Sequence, residues 1–569
     1  MPGFYISNVV GGVPELVDCN SDHMIQNEIK VGEYCAKRNT LDRFLDDKVF
    51  YQDDEYVIIT EGVILNKSDL IKRFDVTSLV ELIIVLYKEK GSEFFSDFRG
   101  PFSGAFYDKQ RENWTVWTNQ TGESAVFYYL HGGGTSIVAS SPQYILDTIR
   151  ENKLTISLNE DAIISLLTYG YMYDSFTPVQ EIKRLLPGQY MNIHDGKVSI
   201  HQYYAIPWGK YDLSSWSEDA ILEEINRRFV SAVRLEYEKD KEYGYAHLAD
   251  ISGGLDCRMA IWVAHKLGYT DIVNIHYSQS GSNEEKIVKE IVSALNTELL
   301  YYPLDNHKFL FDAEEITNLN YGLQPFSGIT GGKRLLDILD FNRFGVEHTG
   351  TIGDAVLGSC LSPDVDYSKP QLLGLYSYRN KDLLSLDHLM KFNGNAEKQY
   401  VMIRGLLGAL SSAFIRHHYT EITSPFMDVD FMEFCFSIPY KLRTEHKIYH
   451  KWIIKYYPDA AKIRWSADDT KLTDGKIKKI LRRAYYHGPK KLARTFGINS
   501  GNNAGMNPFE YWYSTDPKLE QQWSDLVIKS RGKCSPMLSN TIERLFAEGS
   551  ALEKIQAVSA ALTIDYWIK

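Results

Sequence analysis

Residues 244–267 read GYAHLADISGGLDCRMAIWVAHKL. The first part, Tyr245 to Ile251, is short and largely apolar, as a buried strand would be. Ser252, Gly253 and Gly254 follow, then Asp256, and from there Met259, Ala260, Val263, Ala264 and Leu267 recur at helical spacing. A strand that turns through Ser-Gly-Gly into a helix presents unpaired N–H groups and the positive end of the helix dipole. Such a turn is an anion site: the glycines let the backbone close on an oxyanion, and Ser252 adds a hydroxyl. Asp256 at the same mouth suits the Mg²⁺ that polyphosphates bring. No Gly-Lys-Ser/Thr follows, so the spacing is not the Walker pattern, and it is not the dinucleotide pattern either.

Working outward, a helix is predicted over about Glu218 to Glu236. A second strand, DIVNIHY (Asp271 to Tyr277), meets the loop SQSGSNEE; a helix with Ile287, Ile291 and Leu295 follows, and TELLYYPLD gives a third strand. Strands alternating with helices imply a parallel sheet with ligands at the carboxyl ends of its strands.

Ser-Gly-Gly-Leu-Asp after a strand resembles the pyrophosphate loop of the ATP pyrophosphatases, and within them the chain resembles the asparagine synthetase family, which includes β-lactam synthetases and lasso-peptide cyclases. The likeness extends over nearly the whole sequence. It implies an α/β protein: an N-terminal glutaminase-like αββα sandwich (1–205), a linker (206–217), an ATP-pyrophosphatase parallel-sheet domain (218–475) and a helical tail (476–569).

The resemblance also implies roles. Ser252, Gly253, Gly254, Asp256 and Cys257, in place of the family's usual Ser, would hold the phosphates. Tyr277 and Ser278 would line the base and ribose, and Glu284 stands at a family Asp. GVEHTGTIGDAVLGS (Gly345 to Ser359) is similar to the family's SGxGADELFGG loop, with Thr349 and Gly350 at its Ser-Gly and Asp354 as the second metal ligand beside Asp256. Ala355 replaces the family's next Glu, and Thr351 stands where a general base is suspected; a threonine hydroxyl does not accept a proton near neutral pH. SPFMDVDFMEFCFSIPYKLR (Ser424 to Arg443) resembles a block that packs the helical lid. Glu421 is a catalytic candidate. Lys471, in TKLTDG, is placed as the catalytic cation, with Lys462 as its rival.

The N-terminal part reads as short strands, YVIITEGVIL, GPFSGAFYD, NWTVWTN, AVFYYL and SIVASS, interrupted by a helix at about Ser78 to Lys90. Its likeness to the glutaminase domain rests on Arg99 to Tyr129 and Arg184 to Tyr204. The family's nucleophilic Cys after the initiator Met is Pro2, its oxyanion-donating Asn-Gly is Glu61-Gly62, and its glutamine-holding Asp is Leu79. Glutamine hydrolysis is therefore not expected, and Cys19 or Cys35 would be the relocated nucleophile if it occurred. The segment PWGKYDLSSWSED, with Pro207, Gly209 and the Ser214-Ser215 pair, marks the boundary.

Across 569 residues the composition is that of an ordinary globular protein, 44% hydrophobic and 24% charged, and the length calls for at least two domains. A net charge of −12 argues against general nucleic-acid binding. The opening MPGFYISNVV is not a signal peptide, and no apolar run approaches the roughly 20 residues that span a bilayer. Six scattered cysteines without CxxC pairs suit free thiols in the cytoplasm. Lys476 to Arg494 holds eight Lys or Arg and no acid, a solvated face or a surface for an acidic substrate. Arg416-His417-His418 lacks a third ligand for a metal and reads as surface.

The resemblance thus implies an ATP- and Mg²⁺-dependent ligase that adenylates a carboxylate and passes it to an amine, with a small-molecule or peptide substrate bearing both groups. Partners are not nucleic acid or membrane, and a homo-oligomer is left open. An ammonia-dependent asparagine synthetase and a non-catalytic nucleotide- or partner-binding relative are the rival readings.

Overall fold

The computed structural model describes residues 2–9, 24–132, 134–358, 361–363, 365–367, 375–384, 396–467, 469–475, 477–482 and 505–569. Cys19, Cys360 and most of the basic segment 476–494 lie outside them.

Alternating apolar residues in the first 205 positions build two antiparallel sheets. One has the order β10 (Ile182–Arg184), β8 (Phe127–His131), β9 (Thr135–Ala139), β1 (Gly3–Ser7), β3 (Tyr34–Leu41), β2 (Met24–Val31). The other runs β12 (Lys197–Gln202), β11 (Gln189–His194), β7 (Asn113–Thr118), β6 (Phe102–Asp108), β5 (Tyr56–Gly62), β4 (Phe50–Gln52). Phe4, Ile6, Val57, Ile59, Trp114 and Val116 fill the space between the sheets. The helix Leu79–Lys90, capped by Ser78 accepting from the Glu81 N–H, covers the outer face of the second sheet with Leu82, Ile83 and Leu86. Helices Pro142–Glu151 and Glu160–Tyr169 cover the first. The result is the expected layering of helix, sheet, sheet and helix.

Ser217 caps the next helix, which runs Glu218–Glu242, one and a half turns past its expected end because Tyr237, Lys239 and Asp240 are all buried partners of neighbouring elements. The preceding segment is fastened down: Trp208 packs on Phe436, and Lys210 pairs with Glu433 at 2.5 Å.

The parallel sheet has the order β15 (Glu298–Pro303), β14 (Ile272–Ser278), β13 (Ala246–Asp250), β16 (Phe344–His348), β17 (Ile422–Thr423). The chain moves outward from β13 through β14 to β15, then returns to the other side of β13 for β16. The strand order therefore reverses between β13 and β16, and a crevice opens outside the carboxyl ends of these two strands. Helices Glu218–Glu242, Asp256–Lys266 and Asn283–Leu295 cover one face, together with Phe426, Phe431 and Trp452 from the Ser424–Arg443 block and the helix after it. The other face shares its core with the N-terminal sandwich and the final helices.

Those final helices are not peripheral. Trp512, Trp523 and Trp567 are fully buried, and the Trp567 indole donates to the Tyr321 carbonyl at 2.7 Å. The two halves are also joined by charge: the buried Asp47 carboxylate holds Lys67 at 2.7 Å and Lys239 at 2.8 Å, and Lys239 comes from the Glu218–Glu242 helix. Among the described residues no helix is long and apolar enough to cross a membrane.

Candidate active site

Two loops meet at the reversal point. Ser252 to Asp256 follows β13, and Thr349 to Asp354 follows β16. Their approach demands glycine: a Cβ on Gly350 would lie 2.2 Å from the Cys257 nitrogen, and one on Gly353 would lie 2.6 Å from Asp256 Cγ. Asp256 opens the helix Asp256–Lys266, and its Oδ1 accepts from the Tyr449 hydroxyl at 2.8 Å. Desolvation, then the charge of Asp354, push its carboxyl up to about 7. Asp354 stands exposed at the mouth of the same cavity. Two hard carboxylates that repel each other across a crevice are a donor set suited to a divalent cation.

In the Ser-Gly-Gly turn, the Gly253 N–H donates to Glu284 Oε2 at 2.5 Å, and the Gly254 N–H donates to Ser252 Oγ at 3.3 Å. A carboxylate of the chain itself thus rests on one of the turn's anion donors. The buried Arg258 guanidinium donates to the carbonyls of Gly253 (3.1 Å), Ala460 (3.3 Å), Ile463 (3.2 Å) and Arg464. The Ser466 N–H also donates to Gly253 O at 3.1 Å. These bonds fasten the hairpin of β18 (Arg464–Trp465) and β19 (Thr470–Lys471) to the turn. Lys471 ends that hairpin, with its N–H on Asp474 Oδ2 at 3.0 Å. Lys462 is turned outward onto Asp459 at 2.9 Å.

The crevice is a cavity of about 730 Å³. Asp256, Gly350, Thr351, Asp354 and Tyr277 line one part of it. Gly332 makes room for the Tyr277 ring, since a Cβ there would meet it at 2.8 Å. Thr349 lies one layer back, its hydroxyl donating to Thr423 O at 2.9 Å and 2.8 Å from the Thr351 hydroxyl. Ser278 faces inward, bonded to His276 Nε2 at 3.1 Å and to Ser282 at 3.3 Å, so its hydroxyl is not on the cavity wall. Burial pushes the Cys257 thiol up to about 12, which leaves it inert as a thiolate.

Glu421 belongs elsewhere. Its carboxylate lies 3.8 Å from Lys48 Nζ and 3.3 Å from His417 Nε2, at the seam between the two halves and away from the cavity wall. Nearby on β5, Glu61 accepts from the Thr40 hydroxyl at 2.8 Å, and burial pushes it up to about 7. Leu79 is buried in the core beside the second sheet.

The expectation that Arg416-His417-His418 is surface is corrected by the structure: all three are buried. Arg416 donates to Glu347 at 2.8 Å and to Asp250 at 2.9 Å, and it lines the cavity. A cation closing the largely apolar stretch Leu406 to Ile415, broken only by Ser411-Ser412, was the available signal, because such a charge needs buried acids. Sequence reasoning also passed over Tyr169, Tyr171, Tyr376, Tyr400 and Arg404, which line the other part of the cavity. Tyrosine and arginine without a motif carry no such signal.

Residues 46–204 match the family model described as a glutamine amidotransferase domain. The chain is similar to asparagine synthetase B [glutamine-hydrolyzing] of Escherichia coli, 25% identical over 240 residues, covering 39% of this chain and 42% of that protein. It is similar to amidase chry2 of Gibberella zeae, 23% identical over 273 residues, covering 45% of this chain and 39% of that protein. The match thus spans about two fifths of the length of each relative. Among solved structures, glutamine phosphoribosylpyrophosphate amidotransferase from B. subtilis matches 38% of this chain and 46% of its own at 11% identity and a TM-score of 0.23.

Proposed function

We propose that the chain is an ATP-dependent ligase of the asparagine synthetase type. It activates a substrate carboxylate as its acyl-adenylate, releases pyrophosphate, and transfers the acyl group to an amine carried by the substrate. One observation carries this reading: the strand order reverses between β13 and β16, and Asp256 and Asp354 arrive there from two separate loops beside a Ser-Gly-Gly turn.

Asp256 and Asp354 are the residues that would hold Mg²⁺, which supplies charge to offset the phosphates when bound. Ser252 and the N–H groups of Gly253 and Gly254 donate to the pyrophosphate oxygens once the Glu284 carboxylate releases Gly253. Tyr277 and Gly350 flank the nucleoside. The carboxylate attacks the α-phosphorus, the α–β bridge breaks, and pyrophosphate leaves with the electron pair. Lys471, on the hairpin fastened to the turn, donates to the charge that develops as the adenylate forms and collapses. Thr351 offers no base, so the amine enters neutral and loses its proton to water after attack.

A nitrogen carried by the substrate fits a glutaminase domain without its chemistry. Glu61 places a carboxylate where an oxyanion donor is needed, and Leu79 is core. The four described cysteines are free thiols, in keeping with a cytoplasmic setting. The rival reading, a relative that binds nucleotide without turnover, has one observation in its favour, the Glu284 carboxylate on the Gly253 donor. The test is to incubate the protein with α-labelled ATP, Mg²⁺ and a panel of amino-bearing acids. AMP with pyrophosphate is expected. ADP with phosphate overturns the mechanism, and nucleotide binding without turnover across the panel establishes the rival.

A further inference from the structure

Arg416 stands where the central strands of the parallel sheet end. Asp250 is the last residue of β13, and Glu347 is the last but one of β16. Arg416 bridges the two, with Nη2 on Asp250 at 2.9 Å and Nε on Glu347 at 2.8 Å. Tyr277 lies near the end of β14, and among charged groups Arg416 acts on its hydroxyl first. The guanidinium thus crosses the floor of the crevice at the ends of three neighbouring strands.

A guanidinium out of water needs its charge answered, and here two acids grip it by different nitrogens, which fixes its plane. The remaining oxygens, Asp250 Oδ1 and Glu347 Oε2, are buried and accept from no donor among the described residues. Burial first, and then Asp250 against the pull of Arg416, push the Glu347 carboxyl up. A proton held by Glu347 leaves one cation and one anion, a cluster without net charge. The third nitrogen is different. Nη1 has no partner among the described residues, yet it is not one of the sealed atoms left without one. Arg416 lines the cavity, and Nη1 is the part of its fork that stays open there. Only 8% of the residue is exposed, so this donor is offered in nearly dry surroundings, where a charge-assisted bond is strong.

Resting on the ligase reading above, we propose that Arg416 Nη1 donates to the α-phosphate of the nucleotide. In that reading the pyrophosphate lies on the Ser252-Gly253-Gly254 turn and the nucleoside beside Tyr277 and Gly350. The α-phosphate between them passes over the end of β13, where Asp250 stands two residues before Ser252. Asp250 and Glu347 aim the donor and do not touch the nucleotide. The bond holds the phosphorus in place for the attacking carboxylate and offsets charge as the α–β bridge breaks.

The test measures binding of AMP, adenosine and pyrophosphate by calorimetry in the presence of Mg²⁺. AMP should bind about 10-fold tighter than adenosine or better, the difference that a hydrogen bond to a charged group typically makes. Arg416→Gln combined with Asp250→Asn removes the donor together with one charge of each sign. It should erase the advantage of AMP while adenosine and pyrophosphate bind as before. Arg416→Lys keeps a cation for both acids but not the planar fork, and it should lower the same advantage should the double variant not fold. AMP binding no tighter than adenosine in the wild type overturns the proposal, as does an advantage that survives in a folded variant. AMP release from α-labelled ATP is then assayed separately with the panel of acids. Arg416-dependent AMP binding without AMP release leaves this donor standing and removes the ligase reading. AMP release with an advantage indifferent to Arg416 does the reverse, and failure of both AMP and adenosine to bind removes both.

Discussion

Gly350 rests on the backbone nitrogen of Cys257 with no room for a methyl group between them. The loop after β16 is therefore seated on the first turn of the helix after β13, and Asp354 and Asp256 share one crevice because of that seating. Gly350→Ala should drive the loops apart, and a displacement of about 1 Å at a reacting centre is enough to cost ~100-fold in rate. AMP release should fall by that order while far-UV circular dichroism stays unchanged.

Asp256 is held partly out of water beside a like charge, so its removal should relieve the free protein while harming the loaded one. For Asp256→Asn, melting without ligand should occur at or above the wild-type temperature. The rise that MgATP gives the wild-type protein, which reflects binding to the native state alone, should vanish. A full MgATP-induced rise in this variant would remove Asp256 from the metal site.

His348 governs an alkaline limit. Burial alone would lower it, but Asp240, whose Oδ2 lies 2.7 Å from Nε2, and then Glu236 override burial and push it up to about 9. A histidine raised in the folded state stabilises fully below its ordinary value of 6.5, and that stability is lost as pH rises through about 9. The loss should amount to ~3 kcal/mol over this window, at 1.36 kcal/mol per pH unit. Melting temperature should fall between pH 6.5 and 9 in the wild type, and His348→Asn should flatten the profile.

Glutamine should be inert. With Glu61 standing where the resemblance implies an oxyanion donor, and Leu79 in the core where it implies an Asp, glutamate release from glutamine should equal the blank. A glutamate rate lost on Cys35→Ala would refute this and identify a relocated nucleophile.

Lys471 should act on rate and not on nucleotide affinity. Lys471→Ala should lower AMP formation by at least ~100-fold, the loss typical of one well-placed charge donor, with ATP binding retained. Lys462→Ala should leave both unchanged, because that side chain faces solvent on Asp459.

Much of this architecture is legible in the chain. Ser252 to Asp256 identifies a strand, a turn and a helix because glycine freedom and apolar spacing are local effects, and the alternation of strands and helices then implies the parallel sheet. The pairing of Asp256 with Asp354 is not local: it depends on β16 returning beside β13, which only the resemblance anticipated. Ser278 and Glu421 sit in plausible loops, yet the strand end turns one hydroxyl inward and the seam between halves captures the other carboxylate. Arg404 and the tyrosines escaped notice because a cavity wall assembled from several distant segments has no signature in any one of them.

The bridge from Asp47 to Lys239 has a consequence for how this chain can change over time. The Lys239 side chain has no exposed surface, and its counter-ion Asp47 belongs to the N-terminal half. A fragment beginning at the Glu218 helix would lose that carboxylate and leave the ammonium to Glu242 alone, 3.2 Å away on the same helix. The sandwich thus serves as the lining of its neighbour, a role that any change in its own chemistry would leave in place.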